Sequence, residues 1–132
     1  MLKSFPYVMW LFAIGMLMTT VVVVLCLLPL PSSGPALIVG LDKLQHFIAY
    51  LVLSFYFCQV LKKEFFLYMV GLLLILGGVV EVLQSFTGYR FFDLWDIAAN
   101  SFGVILGYYL GKKYDDKFRN IVVNVKKLPT NN

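Results

Sequence analysis

Charge is scarce in this chain. Of its 132 residues only 14% are Asp, Glu, Lys or Arg, whereas 61% are hydrophobic, and the mean hydropathy is +0.85. A soluble domain of this length needs far more polar surface, so lipid is the solvent for most of these side chains. Cysteine is nearly absent: Cys26 and Cys58 are the only two, both inside apolar runs, which indicates neither a disulfide framework nor a metal motif. Linkers, low-complexity stretches and convincing internal repeats are also missing, so residues 1–132 read as one domain. The formal charge of +4 does not point to a nucleic-acid partner. The basic residues flank apolar runs and form no stripe with stacking aromatics.

What the chain does have is four long apolar runs. Residues 7–28 carry no charge and would span about 33 Å as a helix at ~1.5 Å per residue. Residues 44–61 include one ionisable group of consequence, His46, and residues 65–86 include Glu81. Residues 94–110 form the shortest run, with Asp96 and Asn100 near its start; the helix is expected over about 94–111, and a basic tail, 112–132, follows. Each run approaches the ~20 residues that cross a bilayer, and none alternates as a barrel strand does. The first run is longer than a usual signal core and is followed by Leu28-Pro29-Leu30-Pro31, a poor cleavage site, so it reads as an uncleaved helix.

The connections are short. Pro29, Pro31, Pro35, Ser32, Ser33 and Gly34 compose a non-helical first loop, Lys62-Lys63-Glu64 a tight turn, and Thr87-Gly88-Tyr89-Arg90 the last link. Short links make successive helices antiparallel neighbours, which predicts an all-α, four-helix up-down bundle in the membrane. Lys3, Lys62, Lys63, Lys112, Lys113, Lys117, Arg119, Lys126 and Lys127 fall on one side, against Lys43 and Arg90 on the other. By the positive-inside rule both termini are cytoplasmic, and Trp10, Trp95, Tyr108 and Tyr109 are expected near the interfaces.

The remaining polar residues gather on the opposite, outer side. Asp42, Lys43 and His46 open the second helix; Glu81 and Gln84 close the third; Arg90, Asp93, Asp96 and Asn100 lead into the fourth. His46, Asn100 and Glu81 are expected roughly 6, 8 and 9 Å inside their helix ends. Asp42 and His46 share a helix face, as do Glu81 and Gln84. Asp96, Asn100, Gly103, Gly107 and Gly111 fall in one narrow arc, polar at the outer end and then bare, where another helix can approach closely. A charge at a helix centre costs roughly 3 kcal/mol on insertion scales, so Glu81 and Asp96 require partners, protons or water. Lys43, Arg90 and His46 are the partners at hand. One reading is a structural network that holds helices together; the other, favoured for the set as a whole, is a site facing the bundle interior.

The ordered pattern Asp42-Lys43-x-x-His46, Glu81-x-x-Gln84 and Arg90-x-x-Asp93-x-x-Asp96-x-x-x-Asn100-x-x-Gly103 resembles the VanZ-like family. The resemblance runs from about Asp42 to Gly111. It implies a small multi-pass protein of the plasma membrane, the cytoplasmic membrane of a bacterium. It also implies an association with resistance to the glycopeptide teicoplanin that does not involve making altered peptidoglycan precursors.

For chemistry, the catalytic candidates are His46, Asp42, Glu81 and Asp96: His46 as a general base oriented by Asp42, with Glu81 or Asp96 as the acid. Lys43 and Arg90 suit a phosphate or carboxylate at the rim, with Gln84, Asp93 and Asn100 as further binding residues. No serine sits in a nucleophile elbow, and neither cysteine is expected beside His46. One histidine with carboxylates is a poor zinc set, although Asp42, Glu81, Asp93 and Asp96 offer oxygens to a hard cation; no metal or cofactor is expected. A channel is disfavoured because the cytoplasmic halves of the helices lack ionisable groups to continue a path. The expected function is binding or modification of a lipid headgroup or lipid-linked cell-envelope precursor, with a non-catalytic scaffold as the alternative. The topology is testable by labelling cysteines placed at Ser33 and Asn131 in intact cells. Ser33 should label from outside and Asn131 should not; the reverse pattern inverts the orientation.

Overall fold

The computed structural model describes residues 1–4, 7–28, 35–88 and 90–125, without the side chains of 35–39, 119 and 121–125. Most of the expected first loop (29–34, including Ser33), Tyr89, Lys126, Lys127 and Asn131 lie outside the described residues. The described residues form four α-helices: α1 (Val8–Leu27), α2 (Pro35–Val60), α3 (Phe66–Ser85, preceded by a 3-10 turn over Lys63–Phe65) and α4 (Leu94–Val125). Among the described residues there is no strand, only an isolated antiparallel bridge between Leu2 and Leu61.

Two helix bounds depart from the sequence reading. α2 begins at Pro35, not near residue 44. Proline suits the first helical position, where its missing N–H has no intrahelical partner in any case, so Pro35 starts the helix instead of closing the loop. His46 consequently lies roughly 16 Å from the helix start, not ~6 Å, at about 1.5 Å per residue. α4 runs on to Val125, taking in much of the expected tail. Its 32 residues extend about 48 Å, well beyond a hydrocarbon core of ~30 Å.

Two of the four helical segments, Val8–Leu27 and Lys63–Ser85, are long and apolar enough to cross a membrane. α2 and α4 are more polar. They carry His46, Ser54 and Gln59, and Asp96, Asn100 and Asp115, all of them buried.

α2 and α4 are held together backbone to backbone. A Cβ added at Gly103 would collide with the Phe47 carbonyl oxygen, one at Gly107 with the Leu51 carbonyl oxygen, and one at Gly111 would stand 2.6 Å from Cys58 Cβ. These contacts advance together along both chains, so the two helices run in the same direction. Polar bonds reinforce the seam: Ser54 Oγ donates to the Val104 carbonyl (2.8 Å) and Gln59 Nε2 to that of Gly111 (3.2 Å). Small residues allow this approach, and membrane helices associate through it because lipid supplies no hydrophobic drive between them. α3 runs against α4, with Gly77 facing Asn100 and Phe66 meeting Tyr108 edge-on. α1 leans on α2 through Phe12 and Phe57, and Tyr56 donates to the Leu11 carbonyl (2.7 Å). Tyr50, Leu53, Phe57, Leu73 and Val104 fill the middle.

At one end the N-terminal residues strap across the finish of α2. Lys3 Nζ donates to the carbonyls of Cys58 (2.8 Å) and Gln59 (3.0 Å) and also pairs with Asp115 of α4. The last carbonyls of a helix lack intrahelical partners and carry partial negative charge, which a lysine satisfies. Asp115 follows Gly103, Gly107 and Gly111 at the same four-residue spacing, so the bare face ends in a buried carboxylate. This end is therefore not free of buried ionisable groups, as the sequence reading held. The two cysteines are free and lie at opposite ends, Cys26 near His46 and Cys58 near Gly111.

Gly107→Ala should destabilise the fold by about 1–3 kcal/mol, the usual cost of overpacking a close contact. Gly71 has open space at its Cβ position, so Gly71→Ala should be neutral or stabilising by up to ~1 kcal/mol through helix propensity. Thermal melting in detergent checks the pair; equal midpoints would refute the close seam.

Candidate functional site

The α2–α4 seam sets Asp42, Lys43 and His46 opposite Asp96 and Asn100. Glu81 arrives from α3, and Arg90 and Asp93 from the connection into α4. The start of α4 is built locally. Asp93 Oδ1 accepts the Trp95 amide (2.8 Å), as a helix-capping carboxylate does, while the Asp93 amide donates to Glu81 Oε1 (2.7 Å). Gly88 takes a left-handed φ of 78° that turns the chain between α3 and this cap.

Two cations bridge the elements. Lys43 Nζ reaches Asp93 Oδ2 at 2.5 Å and Asp96 Oδ1 at 2.9 Å, tying α2 to the cap and first turn of α4. The Lys43 ammonium, helped by the Trp95 amide, holds the Asp93 carboxyl below the usual carboxylate range. Arg90 Nη2 stands 2.9 Å from Asp42 Oδ1 as an ion pair without hydrogen-bond geometry. Both are inter-element contacts that no sequence spacing announces.

His46 is fully buried. Its Nδ1 lies 3.1 Å from Asn100 Oδ1; an amide oxygen only accepts, so in the neutral ring this contact places the proton on Nδ1 and the lone pair on Nε2. Nε2 is 3.7 Å from Asp42 Oδ1, and among the described residues it has no hydrogen-bond partner. The same holds for Glu81 Oε2, Asn100 Nδ2 and Arg90 Nη1. Gly77 leaves the space that Asn100 occupies: a Cβ there would stand 3.1 Å from Asn100 Nδ2.

Eight of the nine candidate residues thus form one connected cluster. Gln84 stands to one side, its amide donating to the Cys26 carbonyl at the end of α1 (2.7 Å). Cys26 corrects the sequence reading, since its Sγ lies 3.9 Å from His46 Nδ1. That contact depends on how α1 meets α2, and periodicity within either helix does not contain it. Tyr50, buried with a hydroxyl that has no hydrogen-bond partner among the described residues, was also missed; it follows His46 by four residues and so continues the Asp42–His46 face. A separate apolar cavity of about 320 Å³, lined by Phe12, Met16, Thr19, Leu72 and Leu76 among others, opens between α1 and α3 and includes none of the cluster residues.

A family model described as VanZ/LLP1 matches residues 8–114, a span from α1 through the whole cluster to the glycine face of α4. No curated protein and no solved structure matches the chain.

The burial of the two Lys43 partners predicts unequal costs. Lys43→Met strands Asp96, whose side chain is 6% exposed, and should cost about 3–5 kcal/mol. Asp93→Asn removes a charge that is 35% exposed and keeps a capping side chain, so it should cost ~1 kcal/mol or less. Unfolding in detergent measures both, and equal losses would refute this assignment.

Proposed function

The chain belongs to the VanZ/LLP1 family of membrane proteins, and from that premise we propose that its polar cluster binds or modifies a lipid headgroup or a lipid-linked cell-envelope component. In this reading all four helices cross the plasma membrane as an up-down bundle. Both termini are cytoplasmic and the cluster opens toward the outer leaflet. The basic residues support that orientation, since Lys3 and Lys63 meet Asp115 at the end opposite Lys43 and Arg90.

The observation that carries the reading is the set of buried polar atoms left without partners at one place: His46 Nε2, Glu81 Oε2, Asn100 Nδ2 and Arg90 Nη1, among the described residues. An unmet buried donor or acceptor costs about 1–3 kcal/mol, and several such groups converge here. A ligand that satisfies them removes that cost. Arg90 has a guanidinium nitrogen free for a phosphate or carboxylate oxygen, and Lys43 lies at the partly exposed rim. His46, held through Nδ1 by Asn100, offers Nε2 as a proton acceptor. The link to teicoplanin resistance belongs to this proposal and rests on the family resemblance.

The competing reading, a non-catalytic scaffold, draws on the ion pairs that join α2 to Asp93, Asp96 and Arg90. His46→Gln, Glu81→Gln and Asp96→Asn separate the two. For a site, His46→Gln should keep membrane abundance and melting temperature near wild type while abolishing the envelope phenotype, read as teicoplanin susceptibility. If abundance falls in step with phenotype for all three variants, the scaffold reading replaces the site.

A further inference from the structure

We propose that Asp42, His46 and Asp96 hold a first-row divalent cation at the floor of the cluster, an inference that rests on the cluster being a binding site. Each residue offers one ligand atom, and the three atoms lie within 4.8 Å of one another. Donors around such an ion stand up to about 4.2 Å apart, twice a ~2.1 Å bond, so small rotations complete the set.

His46 supplies the independent pointer. Its buried Nε2 has no hydrogen-bond partner among the described residues and faces Asp42, while its Nδ1–H is committed to Asn100. That is the arrangement of a metal-ligating imidazole, in which the outer nitrogen is anchored and the inner lone pair is directed at the ion. Charge points the same way. Asp42, Glu81, Asp93 and Asp96 meet only Lys43 and Arg90 in this cluster. Carboxylates thus outnumber the basic side chains that meet them, and a divalent cation offsets part of that excess. Lys43 is not orphaned when Asp96 turns to the ion, because Asp93 remains its partner at 2.5 Å.

The donor set is not the hard-cation set that the sequence suggested. Glu81 Oε1 is occupied by the Asp93 amide, and Asp93 by Lys43 and Trp95. An imidazole with two carboxylates suits Mn²⁺, Fe²⁺ or Zn²⁺ better than an all-oxygen cation such as Ca²⁺. Three protein ligands leave positions open, and a phosphate oxygen of the proposed headgroup is the chemistry that fills them. This departs from the expectation that no metal is bound.

The test uses the full chain in detergent, stripped with a chelator and titrated with Mn²⁺. Free Mn²⁺ is read by electron paramagnetic resonance, and Zn²⁺ competes. The expected result is one Mn²⁺ per chain, displaced by Zn²⁺, with affinity lowered about 100-fold in His46→Gln and Asp42→Asn and about 10-fold in Asn100→Ala. Melting of the metal-free variants verifies that each is folded. Absence of Mn²⁺ and Zn²⁺ binding by folded wild type, or unchanged affinity in folded His46→Gln and Asp42→Asn, overturns the cation. If the cation fails while His46→Gln still loses phenotype with its fold intact, the headgroup site stands alone. If His46→Gln releases the ion with no change in phenotype, the cation is upheld and the headgroup reading falls.

Discussion

The backbone contact between α2 and α4 is the constraint from which the rest of the molecule follows. Gly103 and Gly107 bring α4 against the carbonyls of Phe47 and Leu51, and no side chain larger than hydrogen fits there. With that distance set, the residues one and two turns along are in register: Lys43 with Asp96, His46 with Asn100. The cluster is held from below by a seam that has no charge, and across its own width by the ion pairs of Lys43 and Arg90.

Much of the polar cluster's composition was legible in the sequence, for a physical reason. Helical periodicity decides which side chains share a face, so Asp42 with His46, and Asp96 with Asn100 and the glycines, followed from spacing alone. Scarcity of charge made each ionisable residue conspicuous. What spacing cannot supply is the offset between separate helices. The assignment of Lys43 to Asp93 and Asp96, of Arg90 to Asp42, and the approach of Cys26 to His46 all depend on it. Gln84 shows the same limit: it shares a face with Glu81, yet its amide is used at the end of α1.

The helix bounds were harder for another reason. An apolar run marks where side chains meet lipid, and a helix need not stop there. Pro35 opens α2 ahead of its run, and α4 passes beyond Gly111 through Lys112, Lys113 and Asp115 without a break. The sequence reading took charge after Gly111 as the start of a tail. Asp115 is instead the next step of the series Gly103, Gly107, Gly111, and it is 2% exposed.

The strap at Lys3 bears on the order in which the protein is made. Lys3 precedes its carboxylate partner, Asp115, by 112 residues. The same delay applies elsewhere on α2: Lys43 waits for Asp96, His46 for Asn100, and Gln59 for the Gly111 carbonyl. Until residues 94–125 are synthesised, the polar groups of α2 have none of these partners. The nascent chain therefore carries its polar helix unmatched until α4 is made, and the arrival of α4 closes both ends of the helix pair.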